Sequence, residues 1–142
     1  MTAESKMWLC DETITVFNAK LDKETGYDRY HSTVIKGVSW FCKILSAVDK
    51  GLKAANQFTI RIPENADFDG KTYVEPLEYA EADDISELFT LKNGDIIVHG
   101  TVTGDNLKPA DLHRNYEAFT IMGVTNDRRP RVRAPHWKVI GT

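Results

Sequence analysis

The chain has 142 residues, 42% hydrophobic and 27% charged, with a net charge of −3 at neutral pH. This length is typical of one domain, which buries enough surface to fold without disulfides or metals. The slightly acidic balance argues against a dedicated nucleic-acid binder, and no apolar run approaches the ~18 residues of a membrane span. Residues 1–10 lack the apolar core of a signal peptide, so we expect Cys10 and Cys42 to be reduced cytosolic thiols.

Strand patterns dominate the first half of the chain. Residues 1–11 are mixed and polar, and we expect a flexible segment there, followed by a single β-rich domain over 12–142. Strands are predicted over residues 13–19, 30–34, 38–44 and 57–62. Gly37 stands between two of them, where one long strand would bend or bulge. The last of the four alternates strictly, which places Phe58, Ile60 and Ile62 on one face.

The second half mixes short helices with strands. We expect a loop over 63–72 and then a helix over 75–89, with Pro76 in its first turn and Asp84 capping a final turn. Asn93-Gly94 is typical of a hairpin turn. A second helix is predicted over 108–116, and strands over 96–102, 119–124 and 136–140. The fold class is therefore mainly β: a small β-barrel or sandwich of about six or seven strands with two short helices.

Signatures of catalysis and of metal binding are missing from the sequence. The histidines do not share ligand spacing with each other or with the cysteines, and we expect His99 at an ordinary sheet position. Nucleophile-elbow and phosphate-loop motifs are also missing. The carboxylates of 75–87 are predicted to form a solvated helix face rather than an acid–base pair. We therefore expect no enzyme activity, no catalytic residue, no cofactor and no metal.

Charge is distributed unevenly along the chain. Residues 64–87 hold nine acidic residues and one basic residue, whereas 128–138 hold five basic and no acidic ones. Three interpretations of the basic loop over 126–135 stay open: a solvated loop, a phosphate-binding loop, or a contact with the acidic segment of another copy. Aromatic residues do not interleave with this loop, apart from Trp137, so we expect them in the core or an interface. The candidate interface residues are Arg128, Arg129, Arg131, Arg133, Asp67, Asp69, Glu78 and Glu81.

Several segments together resemble a known group of proteins. The segments are Asp11–Tyr30, His31–Trp40, Phe58–Pro63, Leu91–Gly100 and Arg133–Ile140. Their order and spacing are similar to those of uncharacterised structural proteins from tailed phages and prophages of Gram-positive bacteria. Those proteins are of the head–tail joining type. The similarity extends from about residue 11 to the end and supplies no catalytic residue to carry over.

This resemblance implies a connector or head-closure role. Such subunits are small β-barrels or sandwiches that form rings between the portal and the tail. The implied partners are other copies of the chain and the neighbouring portal, connector and tail proteins, with at most non-specific proximity to DNA and no membrane. The implied location is the head–tail interface of the virion, after synthesis in the bacterial cytoplasm. The alternatives are a tail-tube protein, a capsid-decoration protein or a small ligand-binding β-barrel.

Overall fold

The computed structural model describes residues 10–45, 55–103, 108–128 and 135–142. The strands in chain order are β1 (Glu12–Leu21), β2 (Asp28–Leu45), β3 (Ala55–Pro63), β4 (Thr72–Tyr73), β5 (Leu88–Phe89), β6 (Ile96–His99), β7 (Ala118–Asp127) and β8 (His136–Gly141). The helices are α1 (Pro76–Glu81) and α2 (Pro109–Asn115). The predicted flexible segment falls largely on residues 1–9, which lie outside the described ranges.

Six of these strands close into a barrel in the order β1-β2-β3-β8-β7-β6. Every neighbouring pair around the barrel is antiparallel. Strands β4 and β5 form a separate two-stranded parallel ladder. The prediction of a mainly β fold with two short helices is confirmed, and of the two architectures proposed the chain adopts the barrel.

Strand β2 joins the two strands predicted on either side of Gly37. Its partner register shifts at this point, because Glu12 pairs with Val38 and the next residue, Thr13, pairs with Lys36. Gly37 is thus the extra residue of a bulge, and its φ of 88° is readily adopted by glycine alone. On either side of the bulge β2 has a different partner: it pairs first with β1 and then with β3.

Alternating side chains of the strands fill the barrel interior. The predicted face of Phe58, Ile60 and Ile62 points inward and is buried, as the strict alternation indicated. The ring of Phe119 stacks on that of Phe58 with centroids 4.9 Å apart. Gly141 lies so close to this pair that an added Cβ would be 2.4 Å from the Phe119 ring. The interior is therefore a packed core.

A second apolar cluster lies on the outer side of β1 and β6. Phe17, Ile96 and Val98 alternate with the inward residues, and Leu112 of α2 and Val102 cover them. The helix predicted over 108–116 is confirmed, because it begins at Pro109 and ends at Asn115. Helix α2 thus covers one wall of the barrel.

Residues 64–95, here called the cap, link β3 to β6 and cover one end of the barrel. The predicted helix over 75–89 is only partly right: α1 begins at Pro76 but ends at Glu81, since Ala82 is extended with a ψ of 136°. Further along, the Asp84 carboxylate accepts a bond from the backbone N–H of Ser86 in a turn rather than capping a helix. The remaining apolar residues of the predicted helix form β5, which pairs with β4.

The Asn93-Gly94 pair forms a turn but not a hairpin. Gly94 has a φ of 92°, as a tight turn requires. The strand before the turn pairs with β4 and the strand after it pairs with β1 and β7, so the two are not neighbours. The strand after the turn also ends earlier than predicted, at His99, because Gly100 has a φ of 103°.

A buried carboxylate ties the cap to the barrel. Asp95 has 0% of its surface exposed and accepts bonds from Ala19 N (3.1 Å), Lys92 Nζ (2.8 Å) and Asn18 Nδ2 (2.8 Å). Asn18 also bonds both backbone groups of Thr90. Burial raises the pKa of Asp95, and the Lys92 and Asn18 bonds oppose that shift. This network holds the cap on the barrel, because both carboxylate oxygens of Asp95 and both backbone groups of Thr90 have partners.

Candidate functional site

The basic segment, residues 126–135, is held to the barrel at its first arginine. The guanidinium carbon of Arg128 lies 4.2 Å from the centre of the Trp137 ring and 5.5 Å from that of Tyr73. Both distances are typical of a cation over an aromatic face. Burial raises the pKa of Tyr73, the Glu75 carboxylate adds to that shift, and Arg128 opposes it.

These contacts separate Arg128 from the other predicted arginines. Arg128 is half-buried against its own chain, so it acts as an anchor for the segment. Arg129, Arg131 and Arg133 lie outside the described residues. The sequence prediction missed the aromatic pair of Tyr73 and Trp137; the only signal was the position of Trp137 just after the basic loop.

Asp67 and Asp69 lie in the part of the cap that returns to β2. Backbone groups of Asp67 exchange two hydrogen bonds with those of Lys36, and the Asp67 carboxylate accepts a bond from the N–H of Asp69. Both aspartates are exposed and line a cavity of ≈ 220 Å³ with Lys36. The loop is also held by Lys71, whose ammonium donates to the carbonyl oxygen of Ser32.

Glu78 and Glu81 are exposed on α1, as the predicted solvated acidic face requires. The helix has no basic residue in its own last turn. Instead, Lys20 of β1 donates from Nζ to the carbonyl oxygens of Tyr79 (3.2 Å) and Ala80 (2.8 Å). A cation at this place satisfies the terminal carbonyls and the negative end of the helix dipole.

The predicted acidic residues therefore form two pairs. The first, Asp67 and Asp69, lies beside the middle of β2; the second, Glu78 and Glu81, lies on α1. Glu75 is the carboxylate that shares Tyr73 with Arg128, and it was not among the predicted interface residues. The acidic cap and the first residues of the basic segment thus meet within one chain, at the same end of the barrel.

A cleft of ≈ 540 Å³ opens between the cap and the last part of β7. It exists because β6 is short: β6 pairs with β7 only from Ala118 to Thr120, so the cap replaces a strand beyond that point. Residues of the cap, of β7 and of β8 line it: Tyr73, Glu75, Pro76, Leu91, Lys92, Asn93, Gly123, Val124, Asn126 and Trp137. The Trp137 side chain is 2% exposed, and its indole nitrogen has no hydrogen-bond partner among the described residues.

The opposite end of the barrel carries a histidine between two carboxylates. The His99 ring stacks on Trp40 with centroids 4.2 Å apart. Its Nε2 lies 2.5 Å from Glu12 Oε1, and its Nδ1 lies 3.4 Å from Glu117 Oε1. Within the described ranges, no group of three or more His, Cys, Asp or Glu residues is arranged to hold a metal ion. The two described helices are too short and too polar to cross a bilayer.

A family profile matches residues 9–142, which is nearly the whole chain. The chain belongs to the family of unknown function DUF6751. No curated protein and no solved structure matches it. The family description assigns neither an activity nor a partner.

Proposed function

We propose that this chain is a structural protein that joins head and tail in a tailed phage or prophage, where it assembles into a ring between portal and tail. One observation carries the proposal: the barrel is filled by its own side chains, whereas the cap presents exposed carboxylates, among them Glu78 and Glu81, outside it. A filled barrel serves as a rigid building block. The location of the protein at the head–tail interface of the virion is part of the same proposal.

Contacts between copies are the step that the charges support best. Arg128 holds the first residues of the basic segment beside Tyr73 of the cap. An acidic surface that meets a basic one on the next copy gives a head-to-tail contact, and such contacts close into rings when the rotation allows. Electrostatic pairing of this kind sets the register of the subunits more than it sets affinity.

The acidic cap also suits a channel that passes DNA. Glu78, Glu81 and Glu87 are exposed, and carboxylates repel the phosphates of a DNA duplex. A ring that carried cations on its inner surface would bind the DNA instead. We therefore expect those exposed carboxylates of the cap that no neighbouring copy covers to face the inside of the ring.

Charge reversal tests the contact. The variant with Arg129, Arg131 and Arg133 all changed to Glu should lose self-assembly, or assembly with neighbouring ring proteins, in analytical ultracentrifugation. A matched control reverses three exposed cations elsewhere, Lys23, Lys108 and Arg114, and should assemble like the natural chain. Unchanged ring formation by the first variant would contradict the interface.

The alternative of a small ligand-binding β-barrel requires an empty space inside the barrel. Barrels that hold a small ligand leave room among their inward side chains, whereas here Phe58, Ile60 and Phe119 pack against each other in the interior. The tail-tube and decoration alternatives share the structural class and differ in what the copies build. Electron microscopy of the assembled chain separates them, because a tail-tube protein forms open-ended tubes and a joining protein forms single rings.

Light scattering with and without a portal ring tests the joining role. The portal protein encoded by the same genome is the probe. We expect the chain to bind the portal ring and to raise its mass by a fixed number of copies. A gene position between the portal and tail-tape-measure genes is the corresponding genomic expectation. The absence of binding to the portal ring would contradict the joining role.

A further inference from the structure

One edge of β7, at the cap end, is covered by no described strand. Strand β7 pairs with β8 as far as Asp127, but its other edge beyond Ile121 has no strand beside it in the described part of the chain. The cleft described above opens along this edge, with Gly123 and Val124 on one side and Pro76 and Leu91 on the other. A free edge next to a pocket is the arrangement that receives an added strand, since backbone bonds supply affinity and the pocket supplies specificity.

A second edge that no described strand covers lies at the opposite end of the barrel. Residues 39–45 of β2 pair with β3 only, because among the described residues β1 begins at Glu12, opposite Val38. With the 55–57 part of β3 they form an arm that extends past β1. Phe41 in this arm has 54% of its surface exposed, and Lys43, on the same face of the strand, is exposed as well.

The two edges are complementary in chemistry. Phe41 is an exposed aromatic side chain, and the cleft offers a partly exposed apolar lining at Pro76 and Val124. The charges are also compatible: Lys92 is already paired with Asp95, and the Glu75 carboxylate, exposed at the rim beside Tyr73, is an anion that Lys43 can approach. Protein interfaces commonly bury aromatic side chains at their centre and place polar groups at their rim.

We propose that the arm of one copy adds to the free edge of β7 in a second copy, with Phe41 seated at the cleft. The donor and acceptor edges lie at opposite ends of the barrel, so the contact is head-to-tail and repeats from copy to copy. It closes into a ring if the rotation between copies allows. This inference rests on the proposed ring assembly and names the backbone contact that would carry it.

Ultracentrifugation over a concentration series tests the arm. Phe41→Glu should raise the dissociation constant for self-association at least about tenfold, because truncating a buried aromatic anchor removes more than about 1.4 kcal/mol. Tyr27→Glu is the matched control, since Tyr27 is a 78% exposed aromatic of the β1–β2 turn that belongs to neither edge and does not line the cleft. It should associate like the natural chain. Equal association of the two variants would overturn the proposal.

Cross-linking tests the pairing itself. In a Cys10→Ser background, Thr125→Cys and Asn126→Cys each place one thiol on β7, on opposite faces, while Cys42 supplies the exposed thiol of the arm. Mild oxidation should give a ladder of dimers and higher species with at least one of the two, and Cys42→Ser should abolish it. Glu24→Cys, in the exposed β1–β2 turn, sets the random background.

The outcomes separate this inference from the proposed function. Assembly of the natural chain without cross-links above background overturns the arm contact and leaves the ring proposal standing. Dimers alone, without higher species, overturn the head-to-tail geometry. A chain that stays monomeric over the whole concentration series, alone and with the portal ring, overturns both.

Discussion

The two ends of the barrel differ in how they treat an ionisable side chain. At the cap end the carboxylate of Asp95 is fully buried. At the opposite end His99 is partly exposed and lies between Glu12 and Glu117. Both ends place an ionisable side chain beside the apolar interior, but only at the cap end is that side chain removed from water. A buried charge is costly unless every bond is made, so the cap has one permitted position. The other end tolerates change, and the arm extends from that end.

The largest expected effect is at Asp95. Asp95→Ala removes the acceptor of three hydrogen bonds and leaves the Lys92 ammonium partly buried without its partner. We expect the free energy of unfolding to fall by about 3–5 kcal/mol in urea titrations, as for other buried pairs that lose one member. Asp83→Ala, at an exposed aspartate of the same cap, should change it by less than about 0.5 kcal/mol. Similar small losses at both positions would contradict the comparison.

The pH dependence of the same carboxylate is the next test. Burial raises the pKa of Asp95, so the folded chain binds this proton more readily than the unfolded chain, in which aspartates titrate near 3.9. Between those two pKa values the folded state holds more protons, and stability therefore falls as the pH rises. The stability of the natural chain should decrease relative to Asp95→Asn as the pH rises from about 4 through the folded pKa. A difference between the two that does not change with pH would exclude this linkage.

A smaller effect is expected where β1 holds the end of α1. Lys20→Met keeps the aliphatic stem but removes the donor to the Tyr79 and Ala80 carbonyls. We expect a loss of about 1 kcal/mol, since the contact is partly exposed. Hydrogen exchange should quicken at the amide of Ala82, which bonds the Tyr79 carbonyl. Lys23→Met, on the neighbouring exposed turn, should leave exchange at Ala82 unchanged; an equal effect of both variants would argue against this role of Lys20.

The smallest effect is expected at the opposite end. Glu12→Gln weakens the pair with His99 without changing its shape. Because both side chains are partly exposed, the loss should stay below about 1 kcal/mol. A double-mutant cycle with His99→Gln measures the coupling directly. A coupling above about 2 kcal/mol would show that this end is as strictly specified as the cap end.

The sequence was informative wherever periodicity decided the structure. The strict alternation around Ile60 predicted an inward face, and Gly37 indicated the bulge in β2. The helix predicted over 75–89 was too long because Leu88 and Phe89 are held in a strand by a ladder with residues 72–73, which no local pattern encodes. The bond between Asn18 and Asp95 spans 77 residues, so its two members could not be paired from the sequence.

The candidate site was predicted less completely than the fold. Charge counting found the acidic and basic segments, but it did not find that Arg128 stacks on Trp137, since this contact depends on the barrel bringing β7 and β8 together. The cleft has no sequence signature at all. It results from the shortness of β6 and from the way the cap fills the gap.

Electron microscopy of the purified chain mixed with its portal ring tests the central claim most directly. The account predicts one additional ring layer on the portal, made of a fixed number of copies that touch head-to-tail. Portal rings that remain bare at saturating concentrations of the chain would contradict it.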